Sequence, residues 1–429
     1  MEVDPNLLIP AEIAGAIVDP SCYADHRIHD TYSWLRAHNP LGVANVEGFD
    51  PFWVVTKHDD ILNVSKHNEI FHNGDGQATL ADKETDSLIR RITGGSPHLI
   101  KSLVQMDAPE HPKYRNLAQS WFLPHNLRKL ETRIRSIARA SIDRMGQLGS
   151  QCDFVKDIAL LYPLHVIMEI LGVPEADEAR MLRLTQELFG PQDPDAVRTA
   201  DAGLDPDSYG KVLTDVVDDF EEYFTKLSEN RRADPREDFA SVIATATIDG
   251  KPLPRHEQMG YYMIIATAGH DTTSSSTSTA IWQLCEQPEQ FRKLKANPAL
   301  IPSMVDEAIR IATPVKHFMR TATRDTELRN RHVRRGDWLM LCYASGNRDE
   351  SVFEAPFEFR IDRKPNRHIA FGSGAHACLG QHLAKLEMRV FFEELIPRLD
   401  ALESDGPVVQ SQAFFVNGPK RLPIRYQLS

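Results

Sequence analysis

Cys378 stands between a glycine-rich turn and an amphipathic segment, within FGSGAHACLGQHLAKLEMRV from Phe371 to Val390. The segment after the cysteine has apolar residues at helical spacing, at Leu379, Leu383, Leu386 and Val390. The cysteine is therefore predicted at a helix N-terminus, where backbone N–H groups point towards the sulfur. A helix terminus stabilises an anion by only ~0.3–1 kcal/mol, whereas a buried unpaired charge costs several kcal/mol. A buried thiolate here requires a cation as well.

A cysteine in this position can bind a metal in two ways. Cys378 and His382 have the i, i+4 spacing of a helical zinc pair, with His376 nearby, but further ligands at zinc-site spacing are missing from the sequence. A single iron held by one thiolate instead needs close approach of the backbone. The turn meets that need with Gly372, Gly374 and Gly380. Zinc is the weaker interpretation.

A second segment combines weak helix formers with an acid and a hydroxyl. The run YYMIIATAGHDTTSSSTSTAIWQLC, from Tyr261 to Cys285, is apolar at both ends, and its centre is made of Gly, Asp, Ser and Thr. Its hydroxyls can bond to carbonyls four residues earlier and open the helix. An opened turn would leave space beside the helix. The alternative is a simple linker.

Four spaced positions around the cysteine follow F-x-x-G-x-x-x-C-x-G, at Phe371, Gly374, Cys378 and Gly380. Here the sequence resembles the cytochrome P-450 superfamily of haem-thiolate monooxygenases. The resemblance implies that Cys378 is the axial ligand of the iron in haem b (iron protoporphyrin IX), with Phe371 packed beside it. It also implies the family's fold, which is mainly α with small β-sheets. This fold is a helix-rich triangular prism with haem between a distal and a proximal helix.

Charged residues predict how the haem would be held. The E-x-x-R pair Glu307 and Arg310, together with Arg363, implies a structural Glu–Arg–Arg network behind the haem. Because haem carries two propionates, its pocket needs cations that tolerate burial. By resemblance, the propionate partners are His111, Arg115, Arg320 and His368.

The family pattern A-G-x-D-T-T occurs from Ala268 to Thr273. By resemblance, Thr272 holds the proton-donating network and Asp271 relays protons from solvent. The chain is most similar to bacterial terpineol-oxidising monoterpene hydroxylases, which implies a mostly apolar distal pocket in which Thr267 offers a hydroxyl. Taken one by one, the candidates could equally be core residues. They are Val104, Ile264, Thr267, Ala268, Val315, Phe318 and Val416.

The resemblance implies hydroxylation of a small hydrophobic substrate, either a terpenoid or an alkyl-aromatic hydrocarbon, with O2 and two electrons from NAD(P)H. Because no Gly-rich flavin or nicotinamide motif accompanies the haem region, we expect the electrons from an iron–sulfur ferredoxin and its NAD(P)H-dependent reductase. Lys113, Lys385 and Arg389 could meet an acidic carrier or be ordinary solvated charges. Three alternatives stay open: a peroxide-driven haem enzyme, a non-catalytic protein that binds haem or hydrocarbon, and a structural helical protein.

Helices must position these residues, because amphipathic patterns dominate the chain. Helices are predicted over 127–148, 215–232, 301–312 and 379–396. Short β-branched runs predict strands in FWVVTK, HVRRGDWLMLCYA and RLPIRYQLS. The stretch from Phe189 to Lys211, rich in Pro, Asp and Gly, predicts a long exposed loop, either a mobile lid or a surface insertion. We expect one domain over 1–429, with a larger helical part, a smaller β part and no separate reductase domain.

Composition excludes several classes of protein. A hydrophobic fraction of 41% and a charged fraction of 26% indicate a folded globular protein. The net charge of -12 argues against nucleic acid as the main partner. The sequence has neither a membrane-spanning apolar run nor a signal-peptide pattern at its acidic start. We therefore expect a soluble cytoplasmic protein, in which the other four cysteines are packing residues.

Overall fold

The computed structural model describes residues 4–189 and 206–429. Within these residues the helices are α1 Ala11–Val18, α2 Pro20–Ala24, α3 Ile28–His38, α4 His58–Lys66, α5 Lys83–Thr93, α6 Glu110–Gln119, α7 Pro124–Gln147, α8 Leu161–Leu171, α9 Glu178–Phe189, α10 Pro206–Ala233, α11 Phe239–Thr245, α12 Arg255–Ala268, α13 Asp271–Glu286, α14 Pro288–Ala296, α15 Ile301–Ala312, α16 Tyr343–Gly346 and α17 Gln381–Arg398. The fold is mainly α, as the sequence predicts.

Short strands form the sheets, and several 3-10 turns and a π-helical turn, Val155–Ala159, complete the regular structure of the described residues. The strands are β1 Leu41–Ala44, β2 Phe52–Val55, β3 Phe71–His72, β4 Gln151–Asp153, β5 Thr247–Ile248, β6 Lys251–Pro252, β7 His317–Ala322, β8 Thr326–Leu328, β9 Arg331–Val333, β10 Trp338–Cys342, β11 Leu399–Ser404, β12 Val409–Gln410, β13 Pro419–Arg421 and β14 Pro423–Leu428. Each of the three runs predicted to form strands contains at least one of them.

The largest sheet has the strand order β1-β2-β10-β7-β3. Only β2 and β10 pair in parallel, and the other pairs are antiparallel. Strand β7 carries two of the candidate site residues, Phe318 and Arg320. Side chains two residues apart on a strand share one face. Phe318 and Arg320 therefore lie on the same face of β7. A second sheet, in the order β11-β14-β4, is built mainly from the C-terminal residues.

The helical core surrounds α12 and α13. These helices contact α8, α9, α10, α15 and α17. Nearly every residue of α13 from Thr273 to Cys285 is buried, including its run of serines and threonines. Buried hydroxyls in that number need hydrogen-bond acceptors inside the protein. Thr273, Ser276 and Thr277 donate to carbonyls four residues earlier in the chain, whereas Ser278 Oγ has no partner among the described residues.

Helix α17, which begins just after Cys378, is joined to α7 by a network of charges. The Arg135 guanidinium donates to Glu394 Oε1 at 2.8 Å, to Glu393 Oε2 at 2.7 Å and to Glu131 Oε1 at 3.0 Å. Arg135 is only about a quarter exposed, so water screens this network less than an isolated surface pair. The network fixes α17 against the core.

The predicted loop from Phe189 to Lys211 is too long at its C-terminal end. Helix α10 begins at Pro206, so residues 206–211 are helical. Proline is compatible with the first helical position, where the missing N–H would have no intrahelical partner. The remainder of the predicted loop, 190–205, lies outside the described residues. Across the described part of the chain, every helix is too short or too polar to span a bilayer.

Candidate active site

The turn before Cys378 requires glycine at one position in particular. Gly374 has a φ of +71°, and a Cβ there would overlap the carbonyl oxygen of Ser65. The turn is closed by Cys378, whose N–H donates to the carbonyl of Phe371 at 2.8 Å. This bond holds the cysteine at the start of α17, where the sequence predicts it.

The environment of the Cys378 sulfur combines enclosure with open space. Burial raises the pKa of the thiol, and the N–H groups of Gly380 and Gln381 together with the Arg115 charge lower it. The side chain nevertheless has exposed surface, unlike the buried Cys342. Cys378 is surrounded by protein atoms on most sides, yet its side chain keeps accessible surface. The sulfur therefore faces a space inside the protein. The helix N-terminus and a cation therefore act together on the sulfur, as the sequence requires.

Three of the predicted haem-binding residues approach this space from two elements, α6 and β7. Arg115 on α6 donates from Nη2 to the carbonyl of Ala377 at 2.7 Å. Arg320 on β7 is buried and donates to the carbonyl of Met319 at 2.7 Å. His111, also on α6, is buried, and its Nε2 has no hydrogen-bond partner among the described residues.

His376 belongs to the same group, although the sequence assigned it only to the weaker zinc interpretation. Its ring lies 4.2 Å from the ring of His111, measured between centroids, and its Nε2 is 3.8 Å from Asp107 Oδ1. Burial lowers the pKa of His376, and the charges of Arg320 and Arg115 lower it further. Its position two residues before the cysteine, inside the glycine-rich turn, was the available sequence signal.

These residues fit a dianionic group beside Cys378. Burial lowers the pKa of His111 to about 4, with contributions from His376 and Arg115. Among the described residues neither His111 Nε2 nor His376 Nε2 makes a hydrogen bond, although Asp107 Oδ1 lies 3.8 Å from the latter. A buried ring nitrogen of this kind is costly unless it meets an acceptor. Two propionates supply acceptors and negative charge for such a set of donors. The arrangement therefore fits haem, because its unpaired donors match the acceptors of the two propionates.

His368 lies elsewhere. Its Nε2 is 3.6 Å from Asp306 Oδ1, and Lys385 Nζ is 2.8 Å from the same oxygen. Its ring packs 5.7 Å from that of Phe371, between centroids. The contacts of His368 are thus with Asp306 on α15 and with Phe371 rather than with the group of His111, Arg115, Arg320 and His376. Its Nδ1 is buried and has no hydrogen-bond partner among the described residues, and a propionate-binding role for His368 stays a prediction.

The three residues of the E-x-x-R network lie together and are buried. Arg310 donates from Nε and Nη2 to the two carboxylate oxygens of Glu307, each at 2.8 Å. Arg363 adds a contact from Nε to Glu307 Oε1 at 2.9 Å. The remaining guanidinium donors bind backbone carbonyls, including those of Asn347 and Pro356. A fully paired set of this kind can remain charged in the interior.

The helix predicted around Asp271 is split. Helix α12 ends at Ala268 and α13 begins at Asp271. Thr272 Oγ1 donates to the carbonyl of Ala268 at 2.8 Å, and Thr273 Oγ1 donates to that of Gly269 at 3.2 Å. The hydroxyls thus bond four residues back and loosen the helix locally, as predicted. Burial raises the pKa of Asp271, and His270 acts in the opposite direction.

Six of the seven predicted pocket residues retain exposed surface although they lie on core elements. Ile264 and Ala268 share one face of α12, and Val315 pairs with Val416 in an isolated bridge. The six are Val104, Ile264, Ala268, Val315, Phe318 and Val416.

Thr267 is the exception in this set. It is buried, and its Oγ1 donates to the carbonyl of Met263 at 2.5 Å. Ile264, Thr267 and Ala268 stand at i, i+3 and i+4 and so share one side of α12. The hydroxyl proton of Thr267 is engaged within the helix, and its role in orienting a substrate stays a prediction.

A separate cavity of about 510 Å³ lies between α5, the segment that follows it, and α10. Its lining includes Ile92, Leu99 and Val217 but none of the predicted pocket residues.

The zinc interpretation of Cys378 gains no support from the structure. Within residues 4–189 and 206–429, the one group of three close metal-ligating side chains is His72, Asp75 and Asp107, which excludes Cys378.

The three cations considered for a redox partner are partly exposed, and each has a carboxylate partner. Lys113 Nζ is 2.6 Å from Asp249, and Lys385 pairs with Asp306. Arg389 binds Glu393 at 2.7 Å and Glu131 at 3.1 Å. A partner would have to compete with these local acids.

Comparison with known proteins gives consistent matches over nearly the whole chain. Residues 48–424 match the family model described as Cytochrome P450. Over 425 residues the chain is 47% identical to Cytochrome P450-terp from Pseudomonas sp, covering 99% of both chains. It is 32% identical over 409 residues to Linalool 8-monooxygenase from Pseudomonas putida, covering 95% of this chain and 97% of that protein. The crystal structure of CYP108D1 from Novosphingobium aromaticivorans superposes with a TM-score of 0.92 at 44% identity, covering 98% of this chain and 100% of that chain.

Proposed function

We propose, because the chain belongs to the cytochrome P450 family, that it hydroxylates a small apolar terpenoid with electrons delivered from NAD(P)H by an iron–sulfur ferredoxin. As a member of that family it is a haem-thiolate monooxygenase, and its cofactor is haem b. The predictions of family, fold class, enzyme class and cofactor are thereby confirmed. When bound, haem supplies the oxidising chemistry: one atom of O2 enters a C–H bond and the other leaves as water, using two electrons and two protons.

The observation that carries the proposal is that backbone N–H groups and a cation lie together around the Cys378 sulfur. Cys378 would hold the iron, while the N–H groups of Gly380 and Gln381 and the nearby Arg115 stabilise its thiolate. Arg115, Arg320, His111 and His376 would hold the propionates. A thiolate ligand pushes electron density towards the iron and favours O–O cleavage.

Proton delivery is assigned to the opened turn between α12 and α13. Asp271 would take protons from solvent, since its side chain is about one-fifth exposed. Thr272 would hold the acceptor end of this path, with its hydroxyl kept in place by the carbonyl of Ala268. An acid whose pKa is raised by burial releases and regains a proton more readily near neutral pH than an exposed carboxyl does. This pair favours the NAD(P)H-driven reaction over a peroxide-driven one.

The substrate class is inferred from the apolar candidates and from the relatives. Ile264, Ala268, Val315, Phe318 and Val416 offer carbon atoms only, with no charged side chain to anchor a polar substrate. Burial of such a surface favours a small hydrocarbon skeleton. One relative is named a linalool 8-monooxygenase, and linalool belongs to the same chemical class. A terpenoid is therefore the first class to test.

The test is spectroscopic. The reduced, CO-treated protein is expected to show a strongly red-shifted Soret band, because the iron ligand is a thiolate. Adding α-terpineol, linalool or alkylbenzenes one at a time to the ferric protein identifies the compound that shifts the spin state. That compound is then supplied with NADH, a bacterial ferredoxin and its reductase. Hydroxylated product supports the proposal, whereas product with peroxide alone and none with ferredoxin would overturn the electron route.

A further inference from the structure

His270 occupies the break between α12 and α13. Its ring has no exposed surface, and its Nε2 lies 3.1 Å from Asp271 Oδ1. Neither ring nitrogen has a hydrogen bond of good geometry within the described part of the chain, and Asp271 is the nearest polar side chain that interacts with it. A buried imidazole without a partner costs ~1–3 kcal/mol. The proximity to Asp271 therefore calls for an explanation.

The local backbone does not need this side chain. The carbonyl of His270 accepts the N–H of Ser274 at 2.9 Å, which starts α13 whatever residue stands at 270. The close packing at the break is set by Gly269, where a Cβ would lie 2.8 Å from a side-chain carbon of Ile167. Packing thus requires glycine at position 269. Neither packing nor the backbone explains why the residue at position 270 carries a polar ring.

The imidazole acts on the carboxyl beside it. Burial raises the pKa of Asp271, and the charge of His270 lowers it. Among the described residues, no other titratable or charged group from α8, α12 or α13 contributes to this balance. At 3.1 Å a positive charge on the imidazole would be strongly attracted to the carboxylate, because little water screens a buried pair.

We propose that His270 is a positioning residue: it orients the Asp271 carboxyl and sets the pH range in which Asp271 can relay protons. This inference rests on the relay role that the proposed function gives to Asp271. The orienting part needs only a polar N–H group close to Asp271 Oδ1, at the place of Nε2. The electrostatic part needs a group that can carry positive charge. The two parts are separable by substitution.

The experiment measures product formed per NADH against pH, with α-terpineol as the probe substrate or the compound that shifts the spin state. His270→Gln keeps a side-chain donor near the Nε2 place but carries no charge. It is expected to keep its yield at its own optimum while the acid limb moves to higher pH by about one unit, since an opposite charge lowers a carboxyl pKa by about that much or more. His270→Phe is expected to show the same shift and also a several-fold lower yield. Profiles that superimpose on the wild type for both variants overturn the inference.

A double-mutant cycle separates this inference from the proposed relay. In an Asp271→Asn background, His270→Gln is expected to produce no further pH shift. If Asp271→Asn alone leaves yield and pH profile unchanged, the relay itself is wrong, and this inference falls with it. If Asp271→Asn acts but the His270 variants leave the pH profile in place, only the inference about His270 is wrong. Each variant is used only if its CO spectrum retains the thiolate band, and His270→Asn replaces His270→Phe if the latter takes up no haem.

Discussion

Arg115 binds the residue that precedes Cys378, the proposed iron ligand: its Nη2 donates to the carbonyl of Ala377 at 2.7 Å. The two residues are 262 positions apart in the chain. A cation on α6 is thus fixed to the turn that presents Cys378. This contact links the helix that would hold the propionates to the loop that would hold the iron.

Removing that cation should loosen the haem. In Arg115→Leu, loss of charge-assisted hydrogen bonds worth ~1.5–3 kcal/mol should speed transfer of haem to apomyoglobin by about 10- to 100-fold, since ~1.4 kcal/mol is a factor of ten. Arg115→Lys should give an intermediate rate. The control is Arg133→Leu, because Arg133 forms an exposed pair with Glu169 that is worth at most ~1 kcal/mol. Equal transfer rates for Arg115→Leu and the wild type would contradict the assignment.

The buried charge network around Glu307 should make the protein sensitive to its removal. Glu307→Gln leaves Arg310 and Arg363 without a countercharge, which should cost ~3–5 kcal/mol in the free energy of unfolding. Guanidinium denaturation of the two proteins measures this difference. The exposed Glu354 provides the control, Glu354→Gln, which should change stability by less than ~0.5 kcal/mol.

The effect of Glu307 should also depend on pH. Burial acts to raise its pKa, but the hydrogen bonds and charge of Arg310 more than offset this, so the pKa lies below its usual value. A carboxyl with a lowered folded-state pKa contributes stability above its unfolded pKa and loses it as pH falls through the folded one. The difference between wild type and Glu307→Gln should therefore be full at neutral pH and narrow below about pH 4. A difference that stays constant down to acid pH would argue against a charged Glu307.

Thr272→Ala should separate oxygen consumption from product formation. The variant should bind haem and substrate as the wild type does, while much of the NADH is diverted to hydrogen peroxide. Product and peroxide per NADH are measured together. Thr277→Ala removes the same type of hydrogen bond one turn further along α13, from Thr277 Oγ1 to Thr273 O at 2.8 Å, and should leave coupling unchanged. Unchanged product yield in Thr272→Ala would remove Thr272 from the proton path.

Glu387 should lower stability at neutral pH. It is buried on α17, its Oε2 has no partner within the described residues, and burial raises its pKa well above the usual value. A carboxyl with a raised folded-state pKa costs stability progressively as pH rises from the unfolded pKa through the folded one. Glu387→Gln keeps the shape without the charge, so its Tm should exceed that of the wild type at pH 8 by about 2 °C or more. The gain should vanish near pH 4, and a gain of equal size at both pH values would contradict this explanation.

Sequence reasoning was most successful where chemistry depends on neighbours in the chain. The spacing around Cys378 predicts a cysteine at a helix start, and α17 begins three residues later. The hydroxyl run after Asp271 predicts an opened helix, and α12 and α13 are indeed split there. Both features arise from backbone hydrogen bonds within about one turn, which local residue types control.

Residue spacing does not show which way a side chain points across the fold. His368 and His376 lie eight positions apart in the same segment, yet the first contacts Asp306 and the second contacts His111. Thr267 and Ala268 are adjacent, yet one is buried with its hydroxyl bonded and the other has open surface. A difference of one or two residues rotates a side chain into another environment, and spacing alone does not show what that environment is.

The sequence by itself determined the family, the helical class and the cysteine that would bind iron, because closely spaced residues are enough to indicate each of them. The family resemblance points to Arg115 and Arg320, but only the tertiary structure shows that His376 joins them beside that cysteine. Arg115 comes from α6, Arg320 from β7 and His376 from the turn before α17, and packing of the core brings them together. The physical reason is that burial and electrostatic pairing depend on distances in space, which the order of residues along the chain does not specify.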